Sequence, residues 1–150
     1  MRKRGFEIVT KYKDEGITLP KRKTGSSAGY DIEAAKRIEL TPHKVTIIPT
    51  GIKAYMQQDE YFGIHIRSGF SIKQAVSLIN SQGIIDADYY NNLENEGHIM
   101  IAVINHSDDV VIVDKGMRVA QGVFYHYLTV DGDVAGDGAV RQGGMGSTGV

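Results

Sequence analysis

The chain has 150 residues, 41% of them hydrophobic and 23% charged, with a net charge of −1 and no cysteine. That composition suits one soluble globular domain with a sizeable core. It excludes a domain that grips nucleic acid through a broad positive field, and it excludes disulfides, iron–sulfur clusters and cysteine-ligated zinc. No stretch approaches the ~20 apolar residues of a membrane helix, and the N-terminus has no signal-peptide core, so the expected location is cytoplasmic.

Taken in chain order, the body reads as strands. Phe6–Lys11 alternates apolar and polar. Val45–Ile48 is β-branched, and Thr50-Gly51 leads into Ile52–Met56. Tyr61–Ile66 alternates around Gly63. His98–Ile104, Val110–Val113 and Val119–Tyr127 are rich in Val, Ile, Phe and Tyr, the residues that fit a pleated, half-buried surface. Thr41-Pro42, Gln57-Gln58-Asp59, Ser107-Asp108-Asp109 and Lys115-Gly116 mark turns. One short segment, Ser71–Ser77, reads as helix. Many short strands without alternating helices predict an all-β fold, a barrel or a jelly-roll sandwich. Residues 1–130 form this β-domain. Residues 131–150 differ: seven of the 18 glycines lie between Asp131 and Gly149, so this segment is expected to be a flexible C-terminal tail.

Three polar, glycine-containing segments have the chemistry of a phosphate cradle: Ser26–Asp31, Arg67-Ser68-Gly69, and the tail from Arg141 to Gly149. Bare backbone N–H groups approach an anion, hydroxyls donate to it, and arginine adds a charged fork. Each alone also suits an ordinary turn, and none is a Walker loop. A fourth segment, Asn80–Tyr89, has hairpin chemistry from Asn80 to Gly83 and then an acidic pair, Asp86 and Asp88, beside Tyr89. There Asp86 is a candidate general base at a strand end, and Tyr89 an exposed platform for a ring. The five histidines have no metal-clamping spacing, so magnesium carried on a polyphosphate is the more natural metal. The clusters Arg2-Lys3-Arg4 and Lys21-Arg22-Lys23 read as solvated surface.

In this order the segments resemble the five motifs of the trimeric deoxyuridine triphosphate nucleotidohydrolases (dUTPases): Ala28–Ile32, Arg67–Gly69, Gly83–Tyr89 preceded by Asn80, Arg118–Gln121, and Gly144–Gly149 with Arg141 upstream. The match spans about residues 24–149. The resemblance implies a jelly-roll-like subunit, a distorted β-barrel with a short helix after the second motif. It implies a homotrimer with three shared sites: motifs one, two and four from one subunit, the third from a neighbour, and the tail from the third subunit. The implied reaction is hydrolysis of dUTP to dUMP and pyrophosphate by water attack on the α-phosphorus, lowering dUTP and supplying dUMP for thymidylate synthesis.

The resemblance also implies roles. Asp86 activates the water. Tyr89 packs on the deoxyribose, and the Asn80–Gly83 segment with Ile85 reads uracil. Ser68, Gly69 and Gln121 hold the phosphate chain, and Arg67 serves ligand or interface. Arg141, Gly146, Ser147 and Thr148 bind the γ-phosphate, and Met145 covers the base. Mg2+ rides on the triphosphate, with Asp31 reaching its waters.

Several positions depart from the family pattern. Met145 stands where an aromatic residue is usual, and the stretch from Arg141 to Gly144 is one residue short. Ile66 replaces a proline and Met117 an aspartate. Tyr90-Asn91 follows Tyr89 in place of a residue and glycine, and Glu94–Gly97 reads as an insertion. Activity with altered tail affinity is expected. A dCTP deaminase of the same fold is the rival enzyme, with Glu94 or Glu96 as its acid. A regulator that binds a protein partner, through the insertion, is the rival of another class.

Overall fold

The computed structural model describes residues 1–136 and 140–145. The chain runs β1 (Gly5–Ile8), β2 (Tyr30–Glu33), β3 (Ile38–Leu40), β4 (Val45–Pro49), β5 (Ile52–Tyr55), β6 (Glu60–Ile66), α1 (Ser68–Gln74), β7 (Val76–Leu78), β8 (Gly83–Asp86), β9 (Met100–Asn105), β10 (Val111–Val113) and β11 (Arg118–His126). All strand pairs are antiparallel. One sheet has the order β2-β11-β6-β8 and another β4-β9-β7; β1 pairs β5 and β3 pairs β10. The all-β, jelly-roll-like expectation holds.

The core is filled by the inward side chains of these strands, among them Ile32, Leu40, Ile48, Phe62, Ile101, Val103, Val113 and Val119. On β9 alternate residues Ile101, Val103 and Asn105 are buried, as a strand with one covered face requires. Buried Asn105 is satisfied: its amide donates to the carbonyls of Leu40 and Asp109, and its Oδ1 accepts from the Ser107 N–H. Phe6, Phe62 and Phe124 cluster with ring centroids 4.7–5.5 Å apart.

Three local expectations are corrected. The first strand stops at Ile8, and Thr10–Tyr12 forms a 3-10 turn, because the Val9 carbonyl accepts the Tyr12 N–H at 2.8 Å and folds the chain back after the last rung to Gly51. The helix lies three residues earlier than Ser71–Ser77. Phe70 is its buried anchor, Ala75 in the left-handed region ends it, and β-branched Val76 begins β7, which pairs with β9. Asn80–Gly83 is not a hairpin: β7 belongs to the three-stranded sheet and β8 to the four-stranded one, so this segment crosses between sheets. Strands β2 and β8 overlap segments read as a phosphate cradle and an acidic turn, β7 begins inside the segment read as helix, and β3 was not singled out.

Candidate functional site: two half-sites on one chain

The antiparallel ladder places the candidate residues in two groups. The first surrounds the third motif. Strand β8 pairs with β6 and delivers Asp86 at its end, opposite Tyr61. A 3-10 turn, Ala87–Tyr89, follows and turns Tyr89 inward. A cavity of about 180 Å³ is lined there by Asn80, Gly83, Ile85, Asp86, Tyr89, Arg141 and Met145, all expected from the sequence, together with Ile64, Leu78, Ile84, Met100, Ile101, Ala102 and Gly144. The mostly apolar lining and few polar groups suit a ring held by orientation. The apolar wall from β7 and β9 was not singled out because its strand pattern is that of any core.

Tyr89 is 7% exposed rather than an open platform. Its hydroxyl donates to the His98 carbonyl at 2.7 Å and accepts from Asn95 Nδ2 at 2.8 Å. Burial pushes its pKa up, so it stays a neutral phenol. His98 is buried too. Its Nε2 accepts the Gly51 N–H at 2.9 Å, and burial pushes its pKa down to about 4, with Lys11 adding to the effect.

The described part of the tail does not stand off the body. Arg141 donates from Nη2 to Asp86 Oδ2 and from Nε to Asp88 Oδ1, both at 2.6 Å, and its side chain is 15% exposed. The Glu94 N–H donates to the Gln142 carbonyl at 2.9 Å. A Cβ on Gly144 would come within 2.6 Å of Tyr89 Cε1, and one on Gly143 would collide with the Glu94 carboxylate. Glycine permits this close approach of backbone to wall. Gly146, Ser147 and Thr148 lie outside the described residues.

The second group lines a groove of about 220 Å³: Asp31, Arg67, Ser68, Gly69 and Gln121, with Lys23, Ser27 and Gly29. Lys23, read as solvated surface, belongs to it. Here β2 and β11 pair with Asp31 opposite Gln121, and Arg67 precedes α1 in an extended conformation that starts the helix at Ser68. A Cβ on Gly29 would collide with the Gln121 amide, so that glycine lets Gln121 reach the groove. Arg118 Nη1 donates to Asp31 Oδ2 at 3.2 Å. Cations, hydroxyls and an amide around one carboxylate give this groove donors of the kind that could hold a polyphosphate.

The family model of the dUTPases matches residues 15–149. The chain belongs to the dUTPase family. It is 52% identical over 149 residues to the deoxyuridine 5'-triphosphate nucleotidohydrolase of Lactococcus lactis, covering 99% of both chains, and 37% identical to that of a Picosynechococcus strain, over 95% of this chain and 91% of the relative. Among solved structures, the dUTPase from Streptococcus mutans superposes with a TM-score of 0.82 at 48% identity, over 85% of this chain and 99% of that one. The deaminase alternative finds no support: Glu96 is committed to Lys53 and to Thr10. No helix among the described residues is long and apolar enough to cross a membrane.

Proposed function

We propose that this dUTPase hydrolyses dUTP to dUMP and pyrophosphate at sites completed only when copies of the chain assemble as a homotrimer. One observation carries the assembly: the base-and-sugar cavity and the phosphate groove share no lining residue. A second copy that brings its groove to the first copy's cavity would complete the site. An apolar face supports this. Val45 and Ile47 of β4 stand opposite Ile104 and Ala102 of β9, and Val45 and Ile47 are exposed. That face continues into the cavity wall through Met100 and Ala102. Exposed apolar strands of this kind mark an interface.

Uracil enters between the Asn80–Gly83 crossover, Ile85 and Met145, and the deoxyribose packs on Tyr89, whose ring leaves no room for a 2′-hydroxyl. Ser68, Gly69 and Gln121 of a neighbouring subunit hold the phosphate chain, with Arg67 and Lys23 supplying positive charge. The Asp86 carboxylate takes a proton from the water that attacks the α-phosphorus. The bond from that phosphorus to the α,β-bridging oxygen breaks, and pyrophosphate leaves. Arg141 now pairs with Asp86 and Asp88. A γ-phosphate offers it a stronger bidentate partner, so substrate draws Arg141 away from Asp86 and frees the base.

One carboxylate among hydroxyls and cations fits magnesium that arrives on a triphosphate and keeps most of its waters. Asp31 would hold it through those waters, and the ion would neutralise charge on the phosphate oxygens. The substrate and product are free nucleotides, so we place the enzyme in the cytoplasm, where it lowers dUTP and supplies dUMP for thymidylate synthesis. Pyrophosphate release assayed with dUTP, dTTP, dCTP and UTP tests the activity, with release expected from dUTP alone. Light scattering of the active protein tests the assembly, and a monomer mass would refute it.

A further inference from the structure

The segment after Tyr89 is one of the chain's departures from its family pattern, and it is a built object rather than a loose insertion. Asn92 is its hub, at 7% exposure. The Asn92 amide donates to the Tyr89 carbonyl at 2.7 Å and to Asn95 Oδ1 at 2.8 Å, while its Oδ1 accepts the N–H groups of Glu94 and Asn95. Asn95 Oδ1 also accepts the Gly97 N–H at 3.0 Å. Gly97 has φ +89°, and a Cβ there would lie 2.8 Å from the Tyr89 carbonyl oxygen. On its far side Glu96 receives Lys53 Nζ at 2.8 Å and the N–H and hydroxyl of Thr10 at 3.0 Å each. The turn is thus bolted to β5 and to the N-terminal 3-10 turn.

One side chain of this turn reaches the site. Asn95 Nδ2 donates to the Tyr89 hydroxyl at 2.8 Å, and that hydroxyl donates onward to the His98 carbonyl. The phenol tip is held by one donor and one acceptor while Gly144 closes on the ring edge. We propose that Asn95 is a positioning residue that holds the Tyr89 ring as an unyielding wall against ribonucleotides. The proposal rests on the reading that Tyr89 packs on the deoxyribose. Rejection of one extra hydroxyl depends on a wall that does not step back: an apolar pocket discriminates poorly against an added oxygen unless the clash is enforced. A ring whose tip is bonded on both sides cannot retreat without leaving buried polar groups unmatched.

The test is the ratio of kcat/KM for dUTP to that for UTP. Asn95→Ala removes the donor to Tyr89 together with the acceptor for the Gly97 N–H and the Asn92 amide. Tyr89→Phe removes the hydroxyl that Asn95 holds and leaves the turn intact. Each is expected to lower the ratio by about tenfold, the size expected for loss of one buried hydrogen bond. In the Tyr89→Phe background, which has no hydroxyl to hold, Asn95→Ala should change the ratio no further. A merely structural Asn95 would depress both substrates equally, and an unchanged ratio in Asn95→Ala overturns the inference. Tyr89→Ala separates the two levels. If it collapses the ratio while Asn95→Ala does not, only the role of Asn95 falls; if Tyr89→Ala leaves the ratio unchanged, the sugar-wall reading falls and the inference with it.

Discussion

The cavity at Tyr89 and the groove at Ser68 solve opposite physical problems on one chain. The cavity is walled by core strands, and its tyrosine and its carboxylate both have partners: Tyr89 with His98 and Asn95, Asp86 with Arg141. Its shape exists before any ligand arrives. The groove is open and polar, and among the described residues the one charge contact of its lining is the 3.2 Å bond that Asp31 accepts from Arg118. It has donors in search of an anion. On the proposed reading, shape would select the nucleoside in the first, and charge would hold a phosphate chain in the second. The difference teaches that one chain can preform a shaped cavity and leave its charged groove open, the division that the proposed shared site requires.

The largest effect should come from separating the base from the pocket around it. Asp86→Asn is expected to lower kcat by roughly 10²–10⁴-fold, the range for a general base, with dUTP affinity largely kept. Near-normal turnover would move the role to Asp88, which shares Arg141. Almost as large is the rescue expected on mixing inactive subunits. Asp86→Asn disables the cavity and Gln121→Ala the groove. After denaturation and joint refolding, about a quarter of the sites in an equal, random mixture would combine two intact halves. No recovery would mean that both halves serve within one subunit.

Two further predictions address the preformed cavity. Gly144→Ala drives a Cβ against the Tyr89 ring at 2.6 Å, so the tail should lift and KM for dUTP should rise by about tenfold, with the melting temperature unchanged. An unaltered KM would show that the tail does not close here. His98 lends its carbonyl to Tyr89 and is itself held neutral, with a pKa of about 4. The unfolded chain takes up a proton near pH 6.5 that the folded chain refuses. Stability should therefore fall as pH drops from about 6.5 towards 4, by up to roughly 3 kcal/mol from this group, and level off below. Denaturant titrations of the wild type and His98→Gln across that window would check it, since the variant should lose that part of the slope. Glu7 and Glu60, whose pKa values are lowered mainly by Tyr90 and Arg4, lose their stabilisation only at lower pH.

The smallest effect concerns the base. Met145 lines the cavity where an aromatic ring would stack. Met145→Phe should lower KM for dUTP by about two- to tenfold, since stacking adds roughly 0.5–1.5 kcal/mol. An unchanged KM would mean that Met145 already covers the uracil or lies aside from it.

Composition and strand patterning by themselves determined the all-β class, because β-branched runs between turn residues have few other ways to bury their apolar sides. The order of five short motifs determined the family, and with it Asp86, Gln121 and Ser68 as the residues to examine. The tertiary structure alone decided how these residues are divided, Asp86 to the cavity and Ser68 and Gln121 to the groove. Asn80 and Gly83 look like a hairpin because turn chemistry is local, yet strand pairing is not, and β7 and β8 join different sheets. Tyr89 looks exposed because it follows two acids, yet the Asn92–Gly97 turn and His98 bury it. The tail looks unable to pack because it lacks apolar residues, yet its glycines let backbone lie against Tyr89 and Glu94 while Arg141 finds two carboxylates. Local residue types set what each segment can do, and long-range pairing and close backbone approach, which no short window of sequence contains, set what it touches.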